Sequence, residues 1–267
     1  MTDINLEAVI AATREVGDMA MARWRGEGRA VTVWDKSPDN PVSDVDLAVD
    51  ERLKAVLGAM MPEAGWLSEE TADNKERLQH RHMWCVDPID GTRDFIRGRA
   101  GWAVSVALVT DGLPRLGVLY APARDELYIA VDGKGATLND MPLIASQRVE
   151  FSGSRVPSDA LGKIDSDLVM VEKPNSIALR MAMVADGRAD LVATLRWGFE
   201  WDVAASALIA IEAGARVTDA FGDALQFNTA RAQAFGVIAS APQIHAAAVK
   251  RLHDRAVAGK NRTASGT

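Results

Sequence analysis

Residues 84–92 read Trp84-Cys85-Val86-Asp87-Pro88-Ile89-Asp90-Gly91-Thr92. This is an apolar run, then a turn carrying two carboxylates, then a glycine and a hydroxyl. Val86 ends an expected buried strand. Pro88 fixes its own φ, removes a backbone donor and pushes Asp87 toward an extended shape. Gly91 lets the backbone come close to whatever the carboxylates hold. Two aspartates this near each other repel unless a cation or a proton relieves them. A hard divalent metal is the natural answer, since Mg²⁺ takes oxygen ligands and keeps positions open for water and phosphate.

Working outward, the upstream chain reads as two helices and a short strand. Leu6, Val9, Ile10, Thr13, Val16 and Ala20 form one helical stripe between Asn5 and Arg25. Ala30 to Trp34 reads as a strand, and Ser37 to Pro41 as a loop. Ser43 starts a second helix that buries Val45, Val49, Leu53, Val56 and Leu57. Ser43 can cap it, and Asp44 and Asp46 in its first turn suit the helix dipole. By itself, then, Asp46 is a capping residue. Glu69-Glu70 follows a short apolar approach and by itself is a solvated pair. Residues 72–82 are charged and read as a surface loop, with His80 and His82 on it.

Downstream, Trp102–Thr110, Arg115–Ala121 and Glu126–Val131 are β-rich runs punctuated by Asp111-Gly112 and Asp132-Gly133, an antiparallel meander. The Gly-Lys-Gly at 133–135 lacks the Lys-Ser/Thr and helix of a P-loop. From Gln147 the rhythm alternates. Strands are expected near 148–152, 168–172, 190–194, 215–219 and 235–239, with helices near 175–187, 201–214 and 242–257. Asp202 then falls in the first turn of a helix. The expected organisation is an N-terminal half over 1–146, a C-terminal α/β half over 147–259, and a frayed tail over 260–267.

Composition narrows the function. The chain has 267 residues, 48% of them hydrophobic, which suits one large domain or two closely joined halves. A formal net charge of −7 argues against nucleic-acid binding through a broad basic surface. Cys85, the single cysteine, excludes an internal disulfide and a cysteine-built zinc site, and its apolar neighbours predict a buried, inert thiol. Met1 to Asn5 carries acid and leads into no apolar core, unlike a signal peptide, and no uncharged run is long enough to span a bilayer. A cytoplasmic protein with no membrane or nucleic-acid partner is expected.

Four segments taken together resemble the inositol monophosphatase superfamily of metal-dependent, often lithium-sensitive phosphatases. They are Asp87-Pro88-Ile89-Asp90-Gly91-Thr92, the upstream Glu69-Glu70 pair, Pro41-Val42-Ser43-Asp44-Val45-Asp46 and the distant Trp201-Asp202. The resemblance implies an α/β fold, a layered α-β-α-β-α sandwich with an antiparallel sheet in the N-terminal half and a mixed sheet in the C-terminal half. Members are commonly homodimers. It also implies roles. Glu69, Asp87 and the Ile89 carbonyl would hold one Mg²⁺; Asp87, Asp90 and Asp202 would hold a second. Asp46 would help position a third through water. Glu69 and Thr92 would orient and deprotonate the attacking water, and the amides of Gly91 and Thr92 would receive phosphate oxygens. The chemistry agrees: a multi-metal cluster neutralises phosphate and activates water, and the chain has neither a Gly-x-Ser-x-Gly elbow nor a Cys-x5-Arg nucleophile motif.

Substrate identity rests on residues 193–200. Inositol-specific relatives place a glutamate several residues before the Trp-Asp pair; here Ala193-Thr194-Leu195-Arg196-Trp197-Gly198-Phe199 has no acid. Arg180 and the Phe95-Ile96-Arg97-Gly98 continuation resemble the 3′(2′),5′-bisphosphate nucleotidase branch. The expectation is therefore 3′-phosphoadenosine 5′-phosphate, with Arg180 or Arg196 on a second phosphate and Trp197 or Phe199 facing adenine. The alternatives are inositol 1-phosphate, a broad sugar-phosphate range, or a non-enzymatic binding protein. Trp197 and Phe199 equally suit packing.

Overall fold

A computed structural model describes residues 4–24, 31–37 and 40–264. Parts of the expectations for Arg25, Ala30, Pro38, Asp39 and residues 265–267 lie outside the described residues. In chain order the elements are α1 (Leu6–Arg23), β1 (Val33–Ser37), β2 (Asn40–Ser43), α2 (Asp44–Met60), β3 (Gly65–Ser68), β4 (His82–Asp90) and α3 (Thr92–Ile96). The meander follows as β5 (Ala103–Thr110), β6 (Leu113–Ala121), β7 (Glu126–Val131), β8 (Ala136–Leu138) and β9 (Met141–Pro142). Then come β10 (Arg155–Pro157), β11 (Val169–Val171), α4 (Ile177–Ala185), β12 (Leu191–Phe199), α5 (Ala204–Glu212), β13 (Arg216–Thr218), β14 (Gln233–Ser240) and α6 (His245–Ala264).

Side-chain alternation along the strands builds the layers. Trp84 and Val86 of β4, with Val104 and Val106 of β5, pack on α1 and α2 through Val9, Val16, Val49 and Leu53. The intervening residues Cys85, Ala107 and Val109 point the other way, onto Met181 and Val184 of α4 and Ala204 and Ala205 of α5. In the second sheet Val237 and Ala239 of β14 face that same helix layer. Their neighbour Ile238 faces Ala248 and Leu252 of α6. The result is the expected α-β-α-β-α sandwich.

The first sheet has the order β3-β4-β5-β6-β7-β8-β9. It is antiparallel except where β3 runs parallel to β4. The second has the order β12-β14-β13 and is antiparallel, and a separate parallel pair, β10–β11, adds the other strand direction. Alanine-rich α5 fits between sheets because both sides are small: a Cβ on Gly117 of β6 would lie 2.8 Å from the Ala205 carbonyl oxygen.

Five local expectations are corrected. Residues 148–152 are not a strand, because the Arg148 guanidinium turns back onto the carbonyls of Glu150 and Ser152 and curls the segment. Residues 72–82 are not wholly surface loop: a 3₁₀ turn, Glu76–Gln79, buries Arg77, and β4 begins at His82. Ser37 and Asn40-Pro41, expected in a loop, belong to the β1–β2 hairpin. Helix α5 begins only at Ala204, so Asp202 precedes it. At the C-terminus, α6 continues to Ala264, within the stretch expected to fray.

Candidate metal centre

Parallel pairing of β3 with β4 sets the site. Ser68 pairs with Val86, and the Glu69 amide donates to the Val86 carbonyl at 3.3 Å, so Glu69 and Asp87 leave the same sheet edge together. Between Asp87 and Asp90 the β4–β5 register slips, Asp87 facing Ser105 and Asp90 facing Ala103. The Pro88-Ile89 step absorbs this bulge, where the missing proline donor costs no ladder bond. Far downstream, Asp202 lies between β12 and α5. Ligand oxygens of Glu69, Asp87 and Asp202 all lie within 4.8 Å of one another.

Three carboxylates so close repel one another once ionised. Asp87 is 2% exposed. Burial, followed by the charges of Glu69, Asp90, Asp202 and Asp46, holds its carboxyl well above the usual range. Asp202 is raised likewise, by burial and then by Asp90 and Glu69. An all-oxygen donor set that resists ionisation until a cation arrives suits a hard divalent ion such as Mg²⁺. Lys36 of β1, a residue the sequence reading passed over, reaches into the centre, its Nζ lying 2.8 Å from Glu69 Oε1 and 2.8 Å from Glu70 Oε1. Nothing in the sequence marks this lysine, because the hairpin brings it there. Glu70 is therefore no solvated partner: its side chain is 3% exposed. Burial lifts its pKa to about 7, against the pull of Lys36.

Asp90 belongs to the same electrostatic group but is held differently. Its Oδ2 accepts from the Ser176 hydroxyl at 2.5 Å and the Ala178 amide at 2.7 Å, while Oδ1 accepts from the Ile177 amide at 3.3 Å. Burial raises its carboxyl to about 6 despite these donors. Ser176 also caps α4 by accepting from the Leu179 amide at 2.9 Å. Its position after Pro174-Asn175 was the one available hint of a cap. Gly91 turns the chain with φ +96°, and a Cβ there would sit 2.6 Å from the Gly101 carbonyl oxygen, so the close approach is to backbone.

Asp46 is the capping residue the sequence suggests. It closes a capping box in which its Oδ2 accepts from the Ser43 amide at 2.9 Å. Its Oδ1 meanwhile lies 3.3 Å from Thr92 Oγ1, which is 3.0 Å from the Ile89 carbonyl oxygen. Burial brings the Asp46 carboxyl up to about 6.

Beside Asp202 a crevice is lined by Ile177, Arg196, Gly198 and Phe199. Arg180 is half-buried, donating from Nη2 to the Asn175 carbonyl at 2.8 Å, and burial lowers its guanidinium pKa. The aromatics divide. Trp197 packs edge-on against Phe235, with centroids 5.4 Å apart, whereas Phe199 is 41% exposed and stacks on Trp201 at 4.3 Å.

A sequence model of the inositol monophosphatase family matches residues 3–259. The chain belongs to this family. It is accordingly a phosphatase that hydrolyses phosphate monoesters of small molecules, in a family that is metal-dependent. The chain is 34% identical to the Nus factor SuhB of Xylella fastidiosa, covering 79% of this chain and 80% of that one. It is 31% identical to the 3′(2′),5′-bisphosphate nucleotidase CysQ of Salmonella typhimurium, covering 84% and 94%. In three dimensions it resembles the Thermotoga maritima IMPase with a TM-score of 0.81 and 29% identity, over 93% of this chain and 96% of that one. Among the described residues no helix is long and apolar enough to cross a membrane.

Proposed function

We propose that this inositol monophosphatase family member is a Mg²⁺-dependent phosphomonoesterase whose substrate is 3′-phosphoadenosine 5′-phosphate. The convergence of Glu69, Asp87 and Asp202 within 4.8 Å carries the metal reading. Glu69, Asp87 and the Ile89 carbonyl would hold one ion, and Asp87, Asp90 and Asp202 another, with Asp46 near a third. When bound, Mg²⁺ supplies charge neutralisation for the phosphate and lowers the pKa of water.

The chain's own groups supply the rest. Thr92 Oγ1 donates to the Ile89 carbonyl, leaving its lone pairs to accept from an incoming water. Glu69 accepts the proton that water gives up as its oxygen attacks phosphorus and the P–O ester bond opens. The amides of Gly91 and Thr92, at the start of α3, receive phosphate oxygens. No protein nucleophile takes part, the departing alkoxide takes its proton from solvent water, and the products are inorganic phosphate and the free alcohol.

Substrate choice is supported by cations where an inositol reader would carry an acid. Arg180 and Arg196 sense one another and flank Asp202, which suits a second phosphate. The exposed Phe199, stacked on half-buried Trp201, suits a base, while Trp197 packs on Phe235. A second reading, inositol 1-phosphate, draws on the likeness to the Thermotoga IMPase. The deciding measurement is kcat/KM for both esters, with and without Mg²⁺ and Li⁺. A strong preference for the inositol ester overturns the substrate, and Mg²⁺-independent phosphate release overturns the metal. A cytoplasmic homodimer is the setting we expect.

A further inference from the structure

Glu69 and Asp202 come from segments more than a hundred residues apart, yet their oxygens must be held to within a coordination sphere. A buried polar chain connects the two segments beneath the site. Arg77, whose side chain is 1% exposed, donates from Nε and Nη2 to Asp73 at 3.0 and 2.8 Å. Its Nη1 donates to Asn228 Oδ1 at 2.8 Å and Nη2 to the Thr229 carbonyl at 2.9 Å. Asn228 Nδ2 returns a bond to the Arg77 carbonyl at 3.2 Å. The same two residues bind Glu200, which is 1% exposed: the amides of Asn228 and Thr229 donate to its carboxylate at 2.7 and 3.0 Å, and the Thr229 hydroxyl at 2.5 Å.

Both ends reach a ligand through short, stiff backbone. Residue 77 presses on the start of β3, the strand that delivers Glu69: a Cβ on Gly65 would lie 2.7 Å from Arg77 Cα. At the other end the Glu200 carbonyl accepts from the Val203 and Ala204 amides at 3.2 and 2.9 Å, closing the turn that carries Asp202. We propose that Arg77, Asn228, Thr229 and Glu200 form a clamp that sets the spacing between Glu69 and Asp202, making Arg77 and Glu200 positioning residues for the metal centre. This rests on the reading of Glu69, Asp87 and Asp202 as Mg²⁺ ligands.

Calorimetric Mg²⁺ titration of the substrate-free protein tests the clamp, alongside its Tm without Mg²⁺. Glu200→Gln keeps one oxygen acceptor but turns an NH2 group toward the donor of the other, either the Asn228 amide or the Thr229 amide and hydroxyl. Thr229→Val removes only the hydroxyl bond, so it decides the matter should Glu200→Gln not fold. The Mg²⁺ Kd is expected to rise by about tenfold or more in both, the range seen when groups that orient metal ligands are lost. Thr229→Ser, which keeps the hydroxyl, should restore wild-type affinity. Arg81→Ala, at the exposed pair with Asp111, should change neither Kd nor the recovery. A lower Tm with an unchanged Mg²⁺ Kd overturns the clamp and leaves a plain structural strut. Absence of saturable Mg²⁺ binding in the wild-type protein overturns the metal reading, and the clamp with it.

Discussion

The Ser176 hydroxyl donates to Asp90 Oδ2 at 2.5 Å, across a sequence separation of 86 residues. One carboxylate at the end of β4 thus takes the first amides of α4 and also stands among the acids of the metal centre. The helix that carries Arg180 is thereby tied to the turn of the candidate metal centre.

Asp90→Asn should abolish turnover while the fold survives. The amide keeps one acceptor for α4 but loses its charge, a capping loss of about 1 kcal/mol. Steady-state assays at saturating Mg²⁺, paired with thermal melts, check this. A kcat near wild type would sink the assignment of Asp90.

Thr92→Ala should lower kcat more than it raises KM, because the hydroxyl bridging the Ile89 carbonyl and Asp46 is assigned to the attacking water. Thr92→Ser should recover most of the loss. The reverse split, a raised KM at constant kcat, would make Thr92 a substrate contact.

The metal-free protein should lose stability as pH rises from about 4 through about 6. Asp46 and Asp90 have folded pKa values raised to about 6 from an ordinary 3.8, so the folded state holds protons the unfolded chain has released. Their contribution is full below the unfolded value and gone above the folded one. Mg²⁺ should therefore raise Tm more at pH 8 than at pH 5. Equal increments at both pH values would contradict the acid cluster as the binding site.

His245 works in the opposite sense. Its ring lies 2.9 Å from the Ser240 hydroxyl and 3.0 Å from the Thr218 hydroxyl. Burial and Arg216 bring its pKa down to about 4 from 6.5. Stability from the neutral ring is present above about 6.5 and fades as pH falls toward about 4. In Mg²⁺-saturated protein, His245→Gln should flatten the Tm decline between pH 7 and pH 5. An unaltered slope would assign that decline to other groups.

Arg196→Ala should raise KM roughly tenfold for a bisphosphorylated nucleotide, one charge-assisted contact of about 1.5 kcal/mol, and much less for a monoester. Equal effects on both would place Arg196 at the scissile phosphate or outside the site.

Much of this molecule follows from local sequence. Alternating Trp84, Cys85 and Val86 mark a strand buried on both faces, and the meander is punctuated by its own turn residues. Ser43 and Asp46 form their capping box within four residues. Asp87 and Asp90 mark a crowded acidic turn, because two acids this close call for a cation or a proton. Where local reading failed, a distant partner or a side chain folding back had changed the outcome. Arg77 is buried among charges because Asp73, Asn228 and Thr229 take its donors. Residues 148–152 curl because Arg148 binds its own neighbouring carbonyls.

By itself, then, the sequence determined the order of strands and helices, the acidic character of the centre and the residue types able to hold a metal, since periodicity and charge crowding act over a few residues, while the layered sandwich was expected only from the family resemblance. The tertiary structure decided the rest. It brought Glu69 beside Asp202, put Lys36 on Glu69, joined Asp90 to α4 and separated Trp197, packed on Phe235, from Phe199 at the crevice. Those are contacts across sheets and long loops, and no local spacing encodes a distance the chain closes only by packing.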